Sequence, residues 1–370
     1  MHQNKNICIY MPTASYLTWW AEIVAINQWL YLKKYWYDVT FISLNCKNQT
    51  NKFKSLKKSN INIVYLAPEI TNKKILKNHD LSHKYFHELY LSLWEQLYIY
   101  LLNNKFDIVI NHYSPAWLFV PSSIKSCMLL HGTPTSINES DTIWVEKSTY
   151  KIAVSESVKI WRKKLLGRKT EIKVVHNWIN SDEFYNTWCN LKDIDVFFVG
   201  RNIEIKWIQY IIQAAYYLKD THHMNLNVVI GGTWPYQDTL KSLVANYKLN
   251  NISFPWYIPE DKLNDYYNRS KIITLPSYEK EWVLTTMLEA ASCEWAIITC
   301  KCCWMKDFII DGYNGIFSKK KDFVDLWKKI KKLLDDEWLR NHIWKNAKKT
   351  ILNGRTWDNS IQNFIDIINK

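Results

Sequence analysis

The chain has 370 residues, of which 48% are apolar and 22% charged, and its formal net charge is +13. This length predicts two domains that each bury a core, and this composition excludes a disordered or fibrous protein. Eight cysteines are too few for a disulfide scaffold in a chain this long. The uncharged stretches carry Pro, Ser, Thr or His and fall short of a bilayer span, so we expect a cytoplasmic protein.

The first half of the chain alternates predicted strands with predicted helices. Short apolar or β-branched runs predict strands at 7–11, 38–43, 61–66, 106–111, 127–130 and 150–154. Helical spacing of apolar residues predicts helices at 18–34 and 87–102. Because strands that alternate with helices pair in parallel, this half predicts a parallel sheet covered on both faces.

The same pattern begins again after residue 185. Strands are predicted at 195–199, 226–231, 251–254, 271–275 and 296–299, and helices at 205–218, 236–247, 261–269, 285–293, 323–334 and 337–352. We expect a first domain at 1–180, a linker at 181–193, a second domain at 194–355 and a closing helix at 356–370 that returns to the first domain. The fold class is therefore α/β, with two Rossmann-like domains facing each other across a cleft.

A candidate diphosphate site follows the first strand of the second domain. The strand ends in Gly200, which allows a ligand close to the backbone, and Arg201 follows directly. Lys206 comes at the predicted start of a helix. Arg forms forked contacts to phosphate oxygens, and Lys and a helix N-terminus add positive charge. Taken alone, an Arg and a Lys in such a loop are more often solvated surface cations.

Two glutamates follow the strand predicted at 271–275. Glu281 lies in the loop and Glu289 lies one turn into the next predicted helix. Both carboxylates can accept hydrogen bonds from sugar or ribose hydroxyls, and the backbone amides around Leu284 and Thr285 can hold a phosphate. Out of context, a solvated loop Glu and a Glu on an amphipathic helix are the commoner interpretation.

Two further candidates lie in the first domain. His131 follows the strand predicted at 127–130, where an imidazole can contact a sugar hydroxyl or a reacting centre, although a lone His is more often structural. The loop after the first strand leads through Trp19 and Trp20 into a helix, and such a helix start can bind an anion or a sugar.

We expect no metal site. Asp193 and Asp195 resemble a metal-binding Asp-x-Asp motif, but they lie at the start of a buried strand. Cys300, Cys302 and Cys303 have no His or further Cys pair at zinc spacing, so they are interpreted as reduced thiols.

Several of these motifs, in this order, resemble the GT-B retaining glycosyltransferases of the family 4 type, the glycosyl transferases group 1. The resemblance covers nearly the whole chain. It rests on Gly-Arg-x4-Lys at Gly200, Arg201 and Lys206, and on Glu-x7-Glu at Glu281 and Glu289. Further matches are Pro276-Ser277, Asp311-Gly312-Tyr313-Asn314-Gly315, His131-Gly132, Val154-Ser155-Glu156-Ser157 and His176-Asn177.

The resemblance implies a retaining hexosyltransferase that uses a UDP or GDP sugar without a metal or other cofactor. It implies that Arg201 and Lys206 hold the donor diphosphate and that Glu289 binds the ribose. Glu281 would hold the sugar beside its anomeric carbon, and His131 would contact the sugar near the reaction centre. The implied donor site also includes Gly200, Leu284, Thr285, Trp19, Trp20 and Trp282.

The resemblance also implies the partners. The acceptor is a glycan or a lipid-linked glycan of cell-envelope or exopolysaccharide synthesis, and the first domain takes it. Basic helices of that domain favour a peripheral contact with the anionic inner face of the membrane. No nucleic acid is expected, because the basic residues are spread along solvated helix faces and form no basic-aromatic repeat.

The composition contains 20 Trp and only 8 Gly, whereas glycine usually makes up about 7% of a chain. Trp stands where the resembled family has Gly, at Trp19, Trp20, Trp36, Trp178, Trp207, Trp234, Trp256, Trp282, Trp304 and Trp344. About ten such replacements at about 1–3 kcal/mol each would exceed the stability of a domain. We therefore hypothesise that the gene uses UGA as a glycine codon and that the printed sequence translates it as Trp. The alternative is a genuinely Trp-rich protein.

The sequence is compatible with three other functions. Another GT-B enzyme, such as a sugar-nucleotide epimerase, would release a free nucleotide sugar without an acceptor. A basic nucleic-acid-binding protein would bind RNA or DNA in a salt-dependent manner. A catalytically inactive relative would bind sugar only, but the four residues Arg201, Lys206, Glu281 and Glu289 argue against it.

Overall fold

The computed structural model describes residues 5–15, 20–46, 49–50, 53–54, 62–66, 93–112, 120–132, 145–167, 169–188, 191–232, 236–255, 257–277, 285–302 and 305–370. The chain divides into two compact units. The first is Met1–His176 with Ile361–Lys370, and the second is Asn177–Ser360. None of the helices within these ranges is long and apolar enough to cross a bilayer.

The first unit is built on a parallel sheet. Its strands are β1 Asn6–Tyr10, β2 Asp38–Ser43, β3 Asn62–Tyr65, β4 Ile108–His112, β5 Lys125–Leu130, β6 Tyr150–Ala153 and β7 Lys173–Val174. They pair in the order β3-β2-β1-β4-β5-β6-β7. The helices are α1 Trp20–Lys34, α2, whose described residues are 93–103, and α3 Glu156–Leu166. A 3-10 turn covers Pro12–Ser15.

The second unit repeats this plan. Its strands are β8 Ile194–Val199, β9 Val228–Gly231, β10 Ile252–Ser253, β11 Ser270–Leu275, β12 Ala296–Cys300 and β13 Ile316–Ser318, in the parallel order β10-β9-β8-β11-β12-β13. Its helices are α4 Gln209–His222, α5 Gln237–Asn246, α6 Glu260–Arg269, α7 Thr285–Ser292, α8 Met305–Phe308, α9 Phe323–Asp335, α10 Glu337–Leu352 and the first residues of α11 Trp357–Ile368.

The strands form where the sequence is continuously apolar. Ile7, Cys8 and Ile9 of β1 are fully buried, and all five residues of β12 are buried. Consecutive residues of a strand point to opposite faces, so burial of both faces indicates sheets covered on both sides. Polar residues mark several helix starts: Ser155, Asp322 and Asp336 each accept a hydrogen bond from a backbone N–H in the first turn of α3, α9 and α10.

Helix α11 begins in the second unit and ends in the first. Its start is fixed by the bridge between Ile179 and Thr356 and by the edge-to-face contact of Trp178 with Trp357, whose ring centroids lie 4.6 Å apart. At its end, the Ile368 carbonyl accepts hydrogen bonds from Lys5 Nζ (3.0 Å) and from the Tyr150 hydroxyl (3.3 Å). The last residues of the chain therefore pack near the amino ends of β1 and β6 in the first unit.

The segment 181–193, which the sequence suggested as a linker, is bound to the second unit. The Phe184 carbonyl accepts from Ser292 Oγ of α7 at 2.6 Å, and the Thr187 amide donates to Asn268 Oδ1 of α6 at 2.8 Å. The two units divide between residues 176 and 177, upstream of this segment.

One predicted helix start is wrong. The helix predicted at 205–218 begins at Gln209, and a 3-10 turn at Glu204–Lys206 precedes it. The cause is Trp207, whose φ of 55° and ψ of 33° place it in the left-handed region, where it ends the 3-10 turn. Helices α3 and α8 and strands β7 and β13 were not predicted.

The backbone just after β8 and the backbone just after β9 lie very close to each other. Gly232 has a φ of 131°, and a Cβ atom there would lie 1.8 Å from the Gly200 carbonyl oxygen. The neighbouring Asn202 side chain donates to the Gly232 carbonyl at 2.9 Å. A side chain at position 232 would therefore force these two strand ends apart.

We expect Gly232→Ala to lower the free energy of unfolding by about 3 kcal/mol or more, from backbone strain and overlap together. Gly200→Ala is the matched control, because a Cβ there meets only the Phe198 ring at 3.4 Å. Urea unfolding of both variants measures the difference. Equal stability of the two variants would contradict the close approach.

Candidate functional site

The strand order of the second sheet fixes where a ligand site can lie. Strand β8 pairs with β9 on one side and with β11 on the other, so the chain leaves β8 in one direction and returns to it from the opposite side. In such sheets, ligands bind outside the carboxyl ends of the strands where the order reverses. Those ends carry Gly200 and Arg201 after β8, and Pro276 and Ser277 after β11.

The cations predicted to clamp a diphosphate lie directly after β8. Arg201 is exposed, whereas Lys206 is buried at the end of the 3-10 turn. Lys206 therefore precedes the N-terminus of α4 instead of forming part of it, which corrects the predicted placement. The two side chains still follow one strand end, where an anionic ligand would meet an exposed and a buried cation.

The second glutamate of the predicted pair is held by a tyrosine. Glu289 lies in the second turn of α7, as the sequence predicted, and is half-buried. The Tyr267 hydroxyl of α6 donates to Glu289 Oε2 at 2.7 Å. Burial, together with the Glu289 charge, raises the pKa of Tyr267 well above its usual range, so this hydroxyl keeps its proton and remains a donor.

The structure describes only some of the remaining residues of the predicted donor site. Thr285 is described and begins α7, and Ser277 is buried just after β11. Trp20 begins α1, and only its backbone is described. Glu281, Trp282, Leu284 and Trp19 lie outside the described residues, so their roles stay predictions.

In the first unit, His131 belongs to a hydrogen-bonded chain of three buried side chains. His131 follows β5, His112 is the last residue of β4, and Gln28 lies in α1. His112 Nδ1 lies 3.1 Å from His131 Nε2, and His112 Nε2 lies 2.8 Å from Gln28 Oε1. The two imidazole rings stack with centroids 5.2 Å apart. The structure thus brings the predicted His131 together with two residues that sequence reasoning missed.

Both histidines of this hydrogen-bonded series, His112 and His131, are neutral at physiological pH. Burial lowers the pKa of His131 to about 3. Burial, and then the neighbouring His131, lower the pKa of His112 well below its usual value. Each imidazole therefore has one N–H donor and one bare nitrogen.

A buried acid near the start of α1, Glu22, is bound to the loop after β1. The Thr13 hydroxyl donates to Glu22 Oε1 of α1 at 2.6 Å, and burial raises the pKa of Glu22. Glu22 and Thr13 therefore fix the helix start that the sequence suggested as a sugar or anion site. The residues between them, 16–19, lie outside the described ranges.

The acidic pair discounted as a metal motif is engaged in ion pairs. Asp193 pairs with Arg269 at 2.5 Å, and Asp195 pairs with Lys271 at 2.8 Å. Both pairs stand at the amino end of β8, opposite to Gly200. The Cys300 and Cys302 thiols donate to the carbonyls of Pro276 and Ser277, each at 3.3 Å, so they pack beneath the loop after β11.

Sequence reasoning missed Tyr267, His112 and Gln28. A signal existed for His112, because it follows the apolar strand 106–111 just as His131 follows its own strand. Gln28 is polar on an otherwise apolar stretch of α1, but its partner His112 lies 84 residues away. Only the pairing of β4 with β5 and the packing of α1 bring the three side chains together.

Residues 186–350 match the family described as Glycosyl transferases group 1. Among curated proteins, the chain is similar to N,N'-diacetylbacillosaminyl-diphospho-undecaprenol alpha-1,3-N-acetylgalactosaminyltransferase of Campylobacter jejuni. The two are 30% identical over 179 residues, and this alignment covers 47% of this chain and 45% of that protein. The chain is 26% identical over 159 residues to the capsular polysaccharide biosynthesis glycosyltransferase CapM of Staphylococcus aureus, covering 42% of this chain and 40% of that protein. The matched stretches thus span less than half the length of either of these curated relatives.

Solved structures share the fold over nearly the whole chain. A glycosyltransferase from Rickettsia africae superposes with a TM-score of 0.79 at 19% identity, covering 100% of this chain and 98% of that one. Anabaena HepE, solved with UDP and glucose, superposes with a TM-score of 0.78 at 13% identity, covering 99% of each chain. The chain therefore has the GT-B fold, as the sequence predicted.

The neutral histidine pair predicts how stability depends on pH. The unfolded histidines take up protons below about pH 6.5, whereas the folded His131 stays neutral until about pH 3. Their contribution is therefore fully present above pH 6.5 and is lost as the pH falls. For each of the two histidines, we expect the free energy of unfolding to fall by about 1.4 kcal/mol with every pH unit below pH 6.5.

Urea unfolding at pH 7 and pH 5 measures this loss. His131→Gln should remove the contribution of one histidine from it. Glu22 titrates in both proteins, so its contribution, which has the opposite sign and is lost as the pH rises, cancels in the comparison. The same pH dependence in both proteins would contradict a lowered pKa of His131 in the folded state.

Proposed function

We propose that this chain, whose residues 186–350 match the glycosyl transferases group 1 family, is a retaining hexosyltransferase. It moves the sugar of a nucleoside diphosphate donor to a lipid-linked or polysaccharide acceptor. The observation that carries the proposal is that Arg201 and Lys206 follow β8 while the tyrosine-bound Glu289 lies on the helix that follows β11, the two strands between which the strand order reverses.

The proposed donor site divides the nucleotide between these groups. Arg201 and Lys206 neutralise the diphosphate, and Glu289 accepts hydrogen bonds from the ribose hydroxyls. Tyr267 holds one Glu289 oxygen, so the carboxylate is oriented before a ligand binds. We propose UDP as the nucleotide, because the fold neighbour HepE was solved with UDP and glucose; GDP is the alternative.

We propose that transfer retains the anomeric configuration. The acceptor attacks from the side of the leaving diphosphate, whose oxygen takes the acceptor proton, while Glu281 and His131 hold the sugar. No residue then needs to act as a metal ligand, and we propose that the reaction needs no metal or other cofactor. The anomeric configuration of the product, determined by NMR, and turnover in the presence of EDTA test both points.

The proposed acceptor is attached to a lipid in the membrane. The named activity of the Campylobacter relative uses an undecaprenol-linked sugar, and CapM is named for capsular polysaccharide synthesis. Helix α3 of the first unit exposes Ile160 and Trp161 beside Lys164. An exposed apolar pair with adjacent cations fits an anionic bilayer surface. We propose that α3 rests on the cytoplasmic leaflet.

We also propose that several tryptophans of the printed sequence are glycines in the native protein. Three of the seven non-glycine residues with positive φ in the described part of the chain are Trp36, Trp188 and Trp207. A bulky residue is a rare outlier there, whereas glycine is the usual occupant. Trp178 and Trp344, both at glycine positions of the resembled family, also bury an indole N–H that has no hydrogen-bond partner among the described residues.

The donor site predicts nucleotide-dependent stabilisation. We expect UDP at about a hundred times its Kd to add about 2.7 kcal/mol to the stability of the protein. Arg201→Ala should abolish the thermal shift, because it removes the forked phosphate contact. Tyr267→Phe should weaken UDP binding by about tenfold, since one charge-assisted hydrogen bond is lost.

Tyr266→Phe is the control for Tyr267→Phe. Its ring stacks on Phe197 with a centroid distance of 5.7 Å and keeps this contact without the hydroxyl. If neither UDP nor GDP stabilises the folded protein, the donor site is refuted. If a free nucleotide sugar is converted without an acceptor, an epimerase is the better interpretation.

The α3 surface predicts binding to anionic vesicles. We expect Ile160→Ser with Lys164→Glu to lower sedimentation with phosphatidylglycerol vesicles by about tenfold or more, because an apolar anchor and a lysine contact are both lost. Ile310→Ser is the control, since Ile310 is equally exposed on the second unit (61% against 64% for Ile160). Equal loss in both variants would contradict a membrane-facing α3.

The recoding proposal predicts opposite effects for two tryptophans of the first unit. Trp36 is 86% exposed with a φ of 68°, so Trp36→Gly should stabilise by about 1 kcal/mol. Trp29 is buried and its indole donates to the Val39 carbonyl at 3.1 Å, so Trp29→Gly should cost about 3–5 kcal/mol. Urea unfolding measures both. Peptide masses that show Trp at position 207 in protein from its native source would refute recoding.

A further inference from the structure

The chain of Gln28, His112 and His131 ends in polar atoms that nothing in the described structure binds. His131 Nδ1 at one end and Gln28 Nε2 at the other are both buried and have no hydrogen-bond partner among the described residues. All three side chains are more than nine-tenths buried. An unbonded buried polar atom is costly, so a free His131 Nδ1 indicates a place for a ligand atom.

The direction of the hydrogen bonds follows from the amide oxygen. Gln28 Oε1 can only accept, so His112 Nε2 carries the proton and donates to it. A neutral imidazole has one N–H, so His112 Nδ1 is bare and accepts from His131 Nε2–H. His131 Nδ1 is then also bare. Its lone pair can accept a hydrogen bond from a hydroxyl, but it repels a carboxylate or phosphate oxygen.

We infer that Gln28, acting through His112, sets the tautomer of His131 and thereby selects a sugar that presents a neutral hydroxyl at this point over one that presents an anionic oxygen. Gln28 and His112 are positioning residues, because the ligand touches only His131. The sugar contact rests on the proposed function, whereas the tautomer is a property of the protein without any ligand.

This selection depends on the direction of the hydrogen bonds and requires no charge on His131. If the Gln28 amide nitrogen faced His112 instead, every bond in the chain would reverse and His131 Nδ1 would donate. A single side chain in α1 thus determines whether the buried site accepts or donates. A site that leaves a polar group unpaired commonly discriminates by a factor of about 10² or more.

The tautomer is measured first, in the full chain labelled with ¹⁵N-histidine and without ligand. The ring nitrogen shifts of His131, assigned by its loss in His131→Gln, are expected to show a protonated Nε2 and a bare Nδ1. Gln28→Glu keeps an acceptor and should leave this pattern unchanged, whereas Gln28→Met should give a mixture of tautomers. Gln237→Met is the control, because Gln237 is equally buried in the second unit.

A protonated His131 Nδ1 in the unsubstituted protein would overturn the inference, whether or not Gln28→Met folds. Turnover of UDP-glucose and UDP-glucuronic acid then tests selection. We expect a preference for UDP-glucose of about 10² or more, reduced to about tenfold or less in Gln28→Met and kept in Gln28→Glu, mainly through kcat.

The two failures are distinguishable. If the tautomer is as inferred but no nucleotide sugar is turned over, the proposed function fails and the tautomer assignment stands. If both donors are turned over with the same ratio in the parent and in Gln28→Met, the selective role of Gln28 is refuted although the protein is a transferase.

Discussion

In each unit, the strand that comes first in the sequence lies inside its sheet, with the second strand on one side and the fourth on the other. The loops that follow the first and fourth strands therefore diverge, and room for a ligand is left at their carboxyl ends. In the second unit this places Gly200 near Ser277, and in the first it places Met11 near His112. The candidate groups owe their positions to strand pairing, and the loops supply only the side chains.

The two units offer a ligand different kinds of interaction. The second unit provides charge, with an exposed Arg201, a buried Lys206 and a carboxylate oriented by Tyr267. The first unit provides directed hydrogen bonds between neutral groups, because burial keeps His112 and His131 unprotonated. Charge attracts an anionic group over a distance, whereas buried neutral side chains discriminate only at contact.

Much of the fold could be predicted from the sequence, because strands buried on both faces are continuous apolar runs. Strand β2 has the predicted bounds, and α10 does as well. The start of α4 could not be predicted, because propensity does not reveal that Trp207 adopts a left-handed backbone. For the site, His131 and Glu289 stand out by their places after a strand and within a helix. Their partners His112 and Tyr267 depend on contacts between distant segments, which no local pattern encodes.

The return of α11 to the first unit has a consequence for the order of assembly. Ile368 and Asn369 bond to Lys5, Tyr150 and Tyr37, which are synthesised long before them. The second unit, Asn177–Ser360, is contiguous and can fold as soon as it leaves the ribosome. The first unit waits for Ile361–Lys370 to emerge before its last contacts form. Of the two units, the one whose synthesis begins first is therefore the one that is completed last.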